Sequence, residues 1–365
     1  VIARPVRLPK FLPRHLPATR GGRALLATWV LLLGAGAVLA GVLQWLGPPP
    51  GRLAPLHRPV AQRRLPPRAR PAAHAAPPLA PGAALLEPAP DYPGYFLPRI
   101  AADGRRPDST YAAPVPVVPA GHPRIALLLE GAGLSATASL AAIASLPPAV
   151  SLAVSPYAAS PAPIVRAARR AGHEVLLSLP MAPLDAPLDD EGAQALGPAL
   201  PSAENARRLE WSLSRFGAYA GVTNALSGMD GGQFTGTESF APVLASLARR
   251  GLFYVDATPG QPAPSGIASA DASLRLDDPP SAAGMARALD ALEQMARRRG
   301  QAIGIAGPLY PATIQALGDW IPRAAADGFV LVPVSSLVSP PLRRPAVAGG
   351  GAAGAEGAPT AASRP

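Results

Sequence analysis

The chain has 365 residues, with 49 Pro, 36 Gly, no Cys and a formal net charge of +10. The absence of cysteine excludes disulfides, thiolate nucleophiles and Cys-based zinc sites. The charge is uneven: residues 1–106 hold 15 of the 33 basic residues and only three of the 23 acids. The remainder is close to neutral, so the foldable part lacks the basic clustering of a nucleic-acid-binding domain, and no nucleic-acid partner is expected.

In chain order, residues 1–23 read as a basic tail, with Arg4, Arg7, Lys10, Arg14, Arg20 and Arg23. Residues 24–46, "ALLATWVLLLGAGAVLAGVLQWL", form an apolar run interrupted by Thr28 and Gln44. That is enough helix to cross a hydrocarbon core of about 30 Å. Trp29 and Trp45 stand near its two ends, where aromatic rings favour the interface. The basic tail before it predicts a cytoplasmic N-terminus and a single-pass anchor in a bacterial inner membrane, with the C-terminal domain in the periplasm. A cleaved signal peptide would have a shorter apolar core and a small-x-small cut site, where "LQWLGPPP" stands instead. Residues 47–122 are rich in Pro, Ala and Arg, and 20 of the 49 prolines fall between residues 48 and 123. This composition predicts a disordered, extended linker, with "DYPGYFLP" at 91–98 as an incidental aromatic patch or, in the alternative, a short docking segment. Residues 340–365 read as a disordered low-complexity tail.

Between them, residues 123–339 alternate short apolar runs with helical stretches. Strands are predicted at 124–129, 150–154, 174–179, 220–223, 252–255, 302–305 and 329–334. Each is apolar on both faces, as in a buried parallel sheet. Helices are predicted at 135–146, 161–171, from Ser202, at 238–250, at 281–299 with Gly300 as left-handed cap, and from Pro311. About seven strands alternating with helices give an α/β fold with a parallel sheet, open or closed. Functional groups then collect at the carboxyl ends of the strands. Those ends read "EGAG" (130–133), "SLPMAP" (178–183), "TNALSGMD" (223–230), "VDATPG" (255–260) and "AGPLYP" (306–311), and the carboxylates among the first residues of these ends are Glu130 and Asp256.

The blocks "RIALLLEGAGL", "PAVSLAVSPYA", "AGHEVLLSLPMAPLD", "GVTNALSG", "ARRGLFYVDATP", "AIGIAGPLYPATIQAL" and "GFVLVPVSSLV", in this order, resemble the divergent polysaccharide deacetylase family over residues 124–338. The resemblance implies a distorted β/α barrel related to carbohydrate esterases, in which a divalent metal activates water and polarises an amide carbonyl. It also implies how far the chemistry departs. Where the family has two aspartates after the first strand, this chain has Glu130 and Gly131. Ser178 and Ala182 replace a histidine and an acid, Ala225 replaces a histidine, Thr258 stands near an arginine position, and Gly307 replaces the histidine before Pro308. Asp256 alone stands in place, and His173 precedes its strand and reads as structural.

With no histidine at the mouth, a metal hydrolase lacks its ligands. The expectation is therefore a degenerate module that binds an envelope glycan or an envelope protein and needs no cofactor. A divalent metal enters only in the alternative of an altered enzyme using Glu130 and Asp256 as catalytic acids. Tyr157, Ser178, Met181, Asn224, Ser227, Thr258 and Pro308 are the expected pocket residues. Other signals are weaker. "EGAGLSAT" lacks GxGxxG spacing and a Walker lysine. Ser227 lacks a GxSxG elbow and a histidine base. The acidic runs "LDDEG" (188–192) and "LDDPP" (276–280) read as solvated faces rather than calcium loops.

Overall fold

The computed structural model describes residues 28–36, 38, 82–182, 191–226, 232–260, 264–278 and 280–341, with the side chain of residue 233 excepted. The chain divides into two units, residues 1–70 and 71–365. In the first, the described residues are helical, and Trp29, Leu31 and Leu33 are largely exposed. No helix among the described residues is long and apolar enough to cross a membrane; the rest of the apolar run 24–46 lies outside them.

The second unit begins with strands β1 (Leu86–Pro88) and β2 (Phe96–Pro98) and the short helix α1 (Pro107–Thr110). Next come β3 (Arg124–Ala132), α2 (Ala136–Ser145), β4 (Ser151–Val154), α3 (Pro161–Ala171), β5 (Val175–Ser178) and α4 (Ser202–Ser214). They are followed by β6 (Gly221–Thr223), α5 (Gly232–Thr235), α6 (Ala241–Arg249) and β7 (Phe253–Asp256). The unit closes with β8 (Ser269–Asp271), β9 (Leu274–Arg275), α7 (Ala282–Arg299), β10 (Gln301–Ala306), α8 (Pro311–Ala326) and β11 (Val330–Leu331).

The main sheet is parallel, in the order β8-β7-β6-β5-β4-β3-β10-β9, with β11 pairing the start of β3. Among the described residues β8 and β9 do not pair with each other, so the curled sheet is an open half-barrel rather than a closed one. β3 through β7 are buried along almost their whole length, as their unbroken apolar sequences require in a sheet covered by helices. Helix ends follow local chemistry. Ser135 caps α2 and Ser281 caps α7 through their side-chain oxygens, and Gly172 and Gly300 end α3 and α7 in the left-handed conformation. Ser202 lies inside α4, whose cap is Pro201, and the expected helix at 238–250 begins as a 3₁₀ turn before α6.

Two expectations are corrected. The sheet has more strands than the seven expected. β8 and β9 come from "SADASLR", whose short alternating pattern carries no continuous apolar run. The last expected strand shrinks to β11, because β4 takes over the same side of β3 from Leu128 onward. The second correction concerns the linker. Its described part, residues 82–122, is folded. β1 and β2 form an antiparallel hairpin, and Leu85, Leu97 and Tyr111 are as buried as any core residue. Arg250 pairs with Glu87 and donates to Pro98 O at 3.0 Å; Asp91 N–H donates to Glu210 Oε1 at 2.7 Å. Arg207 Nη1 donates to the Tyr92 hydroxyl at 3.0 Å, so "DYPGYFLP" is a docking hairpin on α4.

A buried polar cluster fastens this arm to the amino ends of the strands. Arg169, 2% exposed, donates to Tyr111 O and stacks 5.6 Å from the Tyr111 ring. Glu174 accepts from Ala113 N, Ser151 Oγ and Ser335 N at 3.0–3.2 Å. Burial pushes the Glu174 carboxyl above the usual carboxylate range and brings Arg169 down to about 10. His173 is buried between Val150 O at 2.8 Å and Ile143 O at 3.3 Å, the structural place its position before β5 suggests.

Candidate functional site

The carboxyl ends of the strands carry two polar clusters. The first surrounds Glu130, near the end of β3 and wholly buried. Burying a carboxylate without a partner is strongly unfavourable. Here Arg275 Nη1 donates to Glu130 Oε1 at 2.7 Å, with the Arg275 side chain only 14% exposed. The register explains the meeting. Arg275 on β9 lies level with Ile305 on β10, which lies level with Leu128 on β3. The guanidinium therefore reaches across the end of β10 to the residue two positions further along β3.

The end of β10 must be glycine for this to work. Gly307 has φ +151°, and a Cβ there would stand 2.3 Å from Glu130 Cγ. Its N–H donates to Asp277 Oδ2 at 2.7 Å, in the loop after β9. Burial pushes the Asp277 carboxyl up, while the Gly307 hydrogen bond and the charge of Arg275 oppose that rise. Pro308 follows through a cis peptide and lies against Gly131. Leu134 and Tyr310 stand half exposed after β3 and β10.

The second cluster lies at the ends of β6 and β7. Asp256 Oδ1 accepts from Thr258 N at 2.8 Å and from Asn224 Nδ2 at 3.2 Å. Asn224 Oδ1 accepts from Ala257 N at 2.7 Å, and Asn224 Nδ2 also donates to Thr258 Oγ1 at 3.2 Å. On β8, Asp271 is in register with Asp256. Burial and the charge of Asp256 raise the Asp271 carboxyl.

The structure thus joins Asn224, Asp256 and Thr258 by hydrogen bonds, while Glu130 stands on another strand of the sheet. β4, β5 and β6 separate β3 from β7, about 19 Å measured along the sheet. Ser178 is fully buried at the end of β5, and its hydroxyl has no hydrogen-bond partner among the described residues. Met181 is fully buried and its N–H donates to Glu191 Oε2 at 2.9 Å. The Tyr157 hydroxyl accepts from Gln194 N at 3.1 Å, and its ring meets Trp211 with centroids 5.3 Å apart. Pro308 lies at the Glu130 rim, and Ser227 lies outside the described residues.

Sequence reasoning missed Arg275, Asp277, Asp271 and Glu191. The last is 4% exposed, although "LDDEG" reads as a solvated face. Arg275 carries the only signal that could have found it, a lone basic residue between apolar positions in "SLRLDD".

A metal centre of the kind the family resemblance implies does not fit these residues. Among the described residues no three His, Cys, Asp or Glu side chains are grouped to hold an ion. Glu130 is committed to a guanidinium, and Ser178, Ala225 and Gly307 bring no nitrogen ligand.

Comparison with known proteins is consistent over this region. The profile of the family described as divergent polysaccharide deacetylase matches residues 127–338. The uncharacterized protein YibQ of Escherichia coli (strain K12) is 28% identical over 207 residues, 54% of this chain. The chain spans 62% of that relative's length. The crystal structure of an uncharacterized protein, ATU2773 from Agrobacterium tumefaciens C58, is 35% identical and superposes with a TM-score of 0.60. The match covers 67% of this chain and all of that one.

Proposed function

The chain belongs to the divergent polysaccharide deacetylase family, and from that premise we propose that it is a degenerate, non-hydrolytic member that binds envelope glycan. In this reading the half-barrel sits in the bacterial periplasm, held to the inner membrane by the apolar run 24–46. The observation that carries the reading is the Glu130–Arg275 ion pair. The first-strand acid of the fold faces a permanent guanidinium, which offers neither an open coordination position nor an activated water. Asp256 is held by Asn224 and Thr258, which orient it as a fixed hydrogen-bond acceptor. A mouth that keeps rigid acceptors and the half-exposed Tyr310 suits binding of neutral polyols.

The test uses the full-length protein in detergent, with an N-acetylated oligosaccharide such as chitopentaose as probe. Calorimetry should report saturable binding that Asp256→Ala weakens, and an acetate assay should report no release. Acetate release that disappears in Asp256→Asn would overturn the reading. Capture of an envelope protein at the same mouth with no glycan binding would replace glycan by protein as the ligand.

A further inference from the structure

We propose that Arg275 is a built-in cation, paired with the buried Glu130 at the end of the half-barrel so that this mouth needs and admits no divalent metal. The inference rests on the non-hydrolytic reading and deepens it by naming the residue that keeps the site closed to metal. Three observations carry it. Glu130 is wholly buried, and Arg275 bonds it at 2.7 Å from a side chain that is itself mostly buried. Asp277, on the loop after β9, binds the N–H of Gly307, whose backbone is pressed against Glu130. Two carboxylates from separate elements thus converge on the same strand end, and the guanidinium is paired with one of them, Glu130. Oxygen donors gathered around a single positive centre are what a hard divalent ion otherwise requires.

The third observation is steric. Gly307 cannot carry a side chain without striking Glu130, so position 307 cannot supply a further ligand while Glu130 stays in place. Arginine suits the task because it stays charged at any physiological pH and presents a planar fork of donors. Unlike a bound ion it cannot be lost to a chelator.

The experiment measures Mn²⁺ binding to full-length protein by equilibrium dialysis, with paramagnetic resonance to count bound ion. Wild type and Arg275→Lys should remain at background. Arg275→Ala should gain about one Mn²⁺ per chain with a dissociation constant of about 10⁻⁴–10⁻³ M, in the range of weak oxygen-ligand sites. Adding Glu130→Gln to it should abolish the gain. Glu130-dependent Mn²⁺ binding by wild type overturns the proposal, as does a folded Arg275→Ala that binds no more than wild type. If Arg275→Ala alone does not fold, removal of the guanidinium from the buried Glu130 is the cause the proposal gives. Glu130→Gln should then restore folding, and a double variant that stays unfolded overturns it. Acetate release by metal-free wild type would sink the non-hydrolytic reading while leaving these outcomes intact, so the two failures are distinguishable.

Discussion

Replacing Leu97 by alanine separates a folded arm from a linker. Leu97 lies in β2 with no exposed surface, next to Phe96, which is 51% exposed. Removing a buried leucine's outer carbons forfeits about 2.4 kcal/mol of transfer energy at roughly 0.8 kcal/mol per carbon, before any cavity cost. Leu→Ala changes in cores span about 2–5 kcal/mol, and a hairpin at a domain's edge can partly collapse, so about 3 kcal/mol is expected. The loss falls on docking of the hairpin, and the fraction of molecules with a detached arm should rise about 100-fold, at roughly 1.4 kcal/mol per decade. Limited trypsin digestion reads that fraction, because Arg99 and Arg105, neither followed by proline, lie in the arm. Leu97→Ala should be cut there about 100-fold faster than wild type, and Phe96→Ala within a few-fold. Equal rates for the two variants would mean that the arm does not share the core, and the burial argument would fail.

Three further outcomes follow from the same geometry. Gly307→Ala should destabilise the domain by at least about 3 kcal/mol in urea melts, since the new carbon meets Glu130 and the backbone angle is unfavourable. Ser178→Ala should leave stability unchanged or raise it by about 1 kcal/mol, because it removes a buried hydroxyl that has no partner among the described residues; a clear loss would mean that the hydroxyl is bonded. Glu174 tests the sign of a pH effect. Its carboxyl is raised by burial, so the folded state holds the proton more tightly than the unfolded state. Stability should fall as pH rises from the ordinary glutamate range through the raised folded value, and Glu174→Gln should flatten that segment of a melting-temperature profile against pH.

Where the sequence was informative, local physics sufficed. "RIALLLEGA" is long, apolar on both faces and preceded by proline, and it forms the central strand β3. Gly300 after a run of three arginines marks the end of α7 because both signals act within one turn. The arm was misread for the opposite reason. Proline content averaged over 47–122 hides the apolar pattern of "ALLEPAPDYPGYFLP", and what stabilises that hairpin is residues more than 100 positions away, Arg207, Glu210 and Arg250.

The site divides along the same line. Asp256, Asn224 and Thr258 were legible because each stands at the end of a strand that reads as a strand. Glu130 was legible as a position but not as a chemical state. What fixes its state is Arg275, 145 residues away on a strand of two residues that no periodicity reveals. The glycine at position 307 reads from sequence as a missing histidine. In the structure it is also a steric requirement, since any side chain there would displace Glu130 from its place against β10. The glycine at 307 and the Glu130–Arg275 ion pair are therefore sterically coupled. A histidine restored at position 307 would not rebuild a metal site unless Glu130 moved, and Glu130 is held by Arg275. Substitutions at 275 and 307 should therefore be non-additive, and a single one at this strand end should show first in stability.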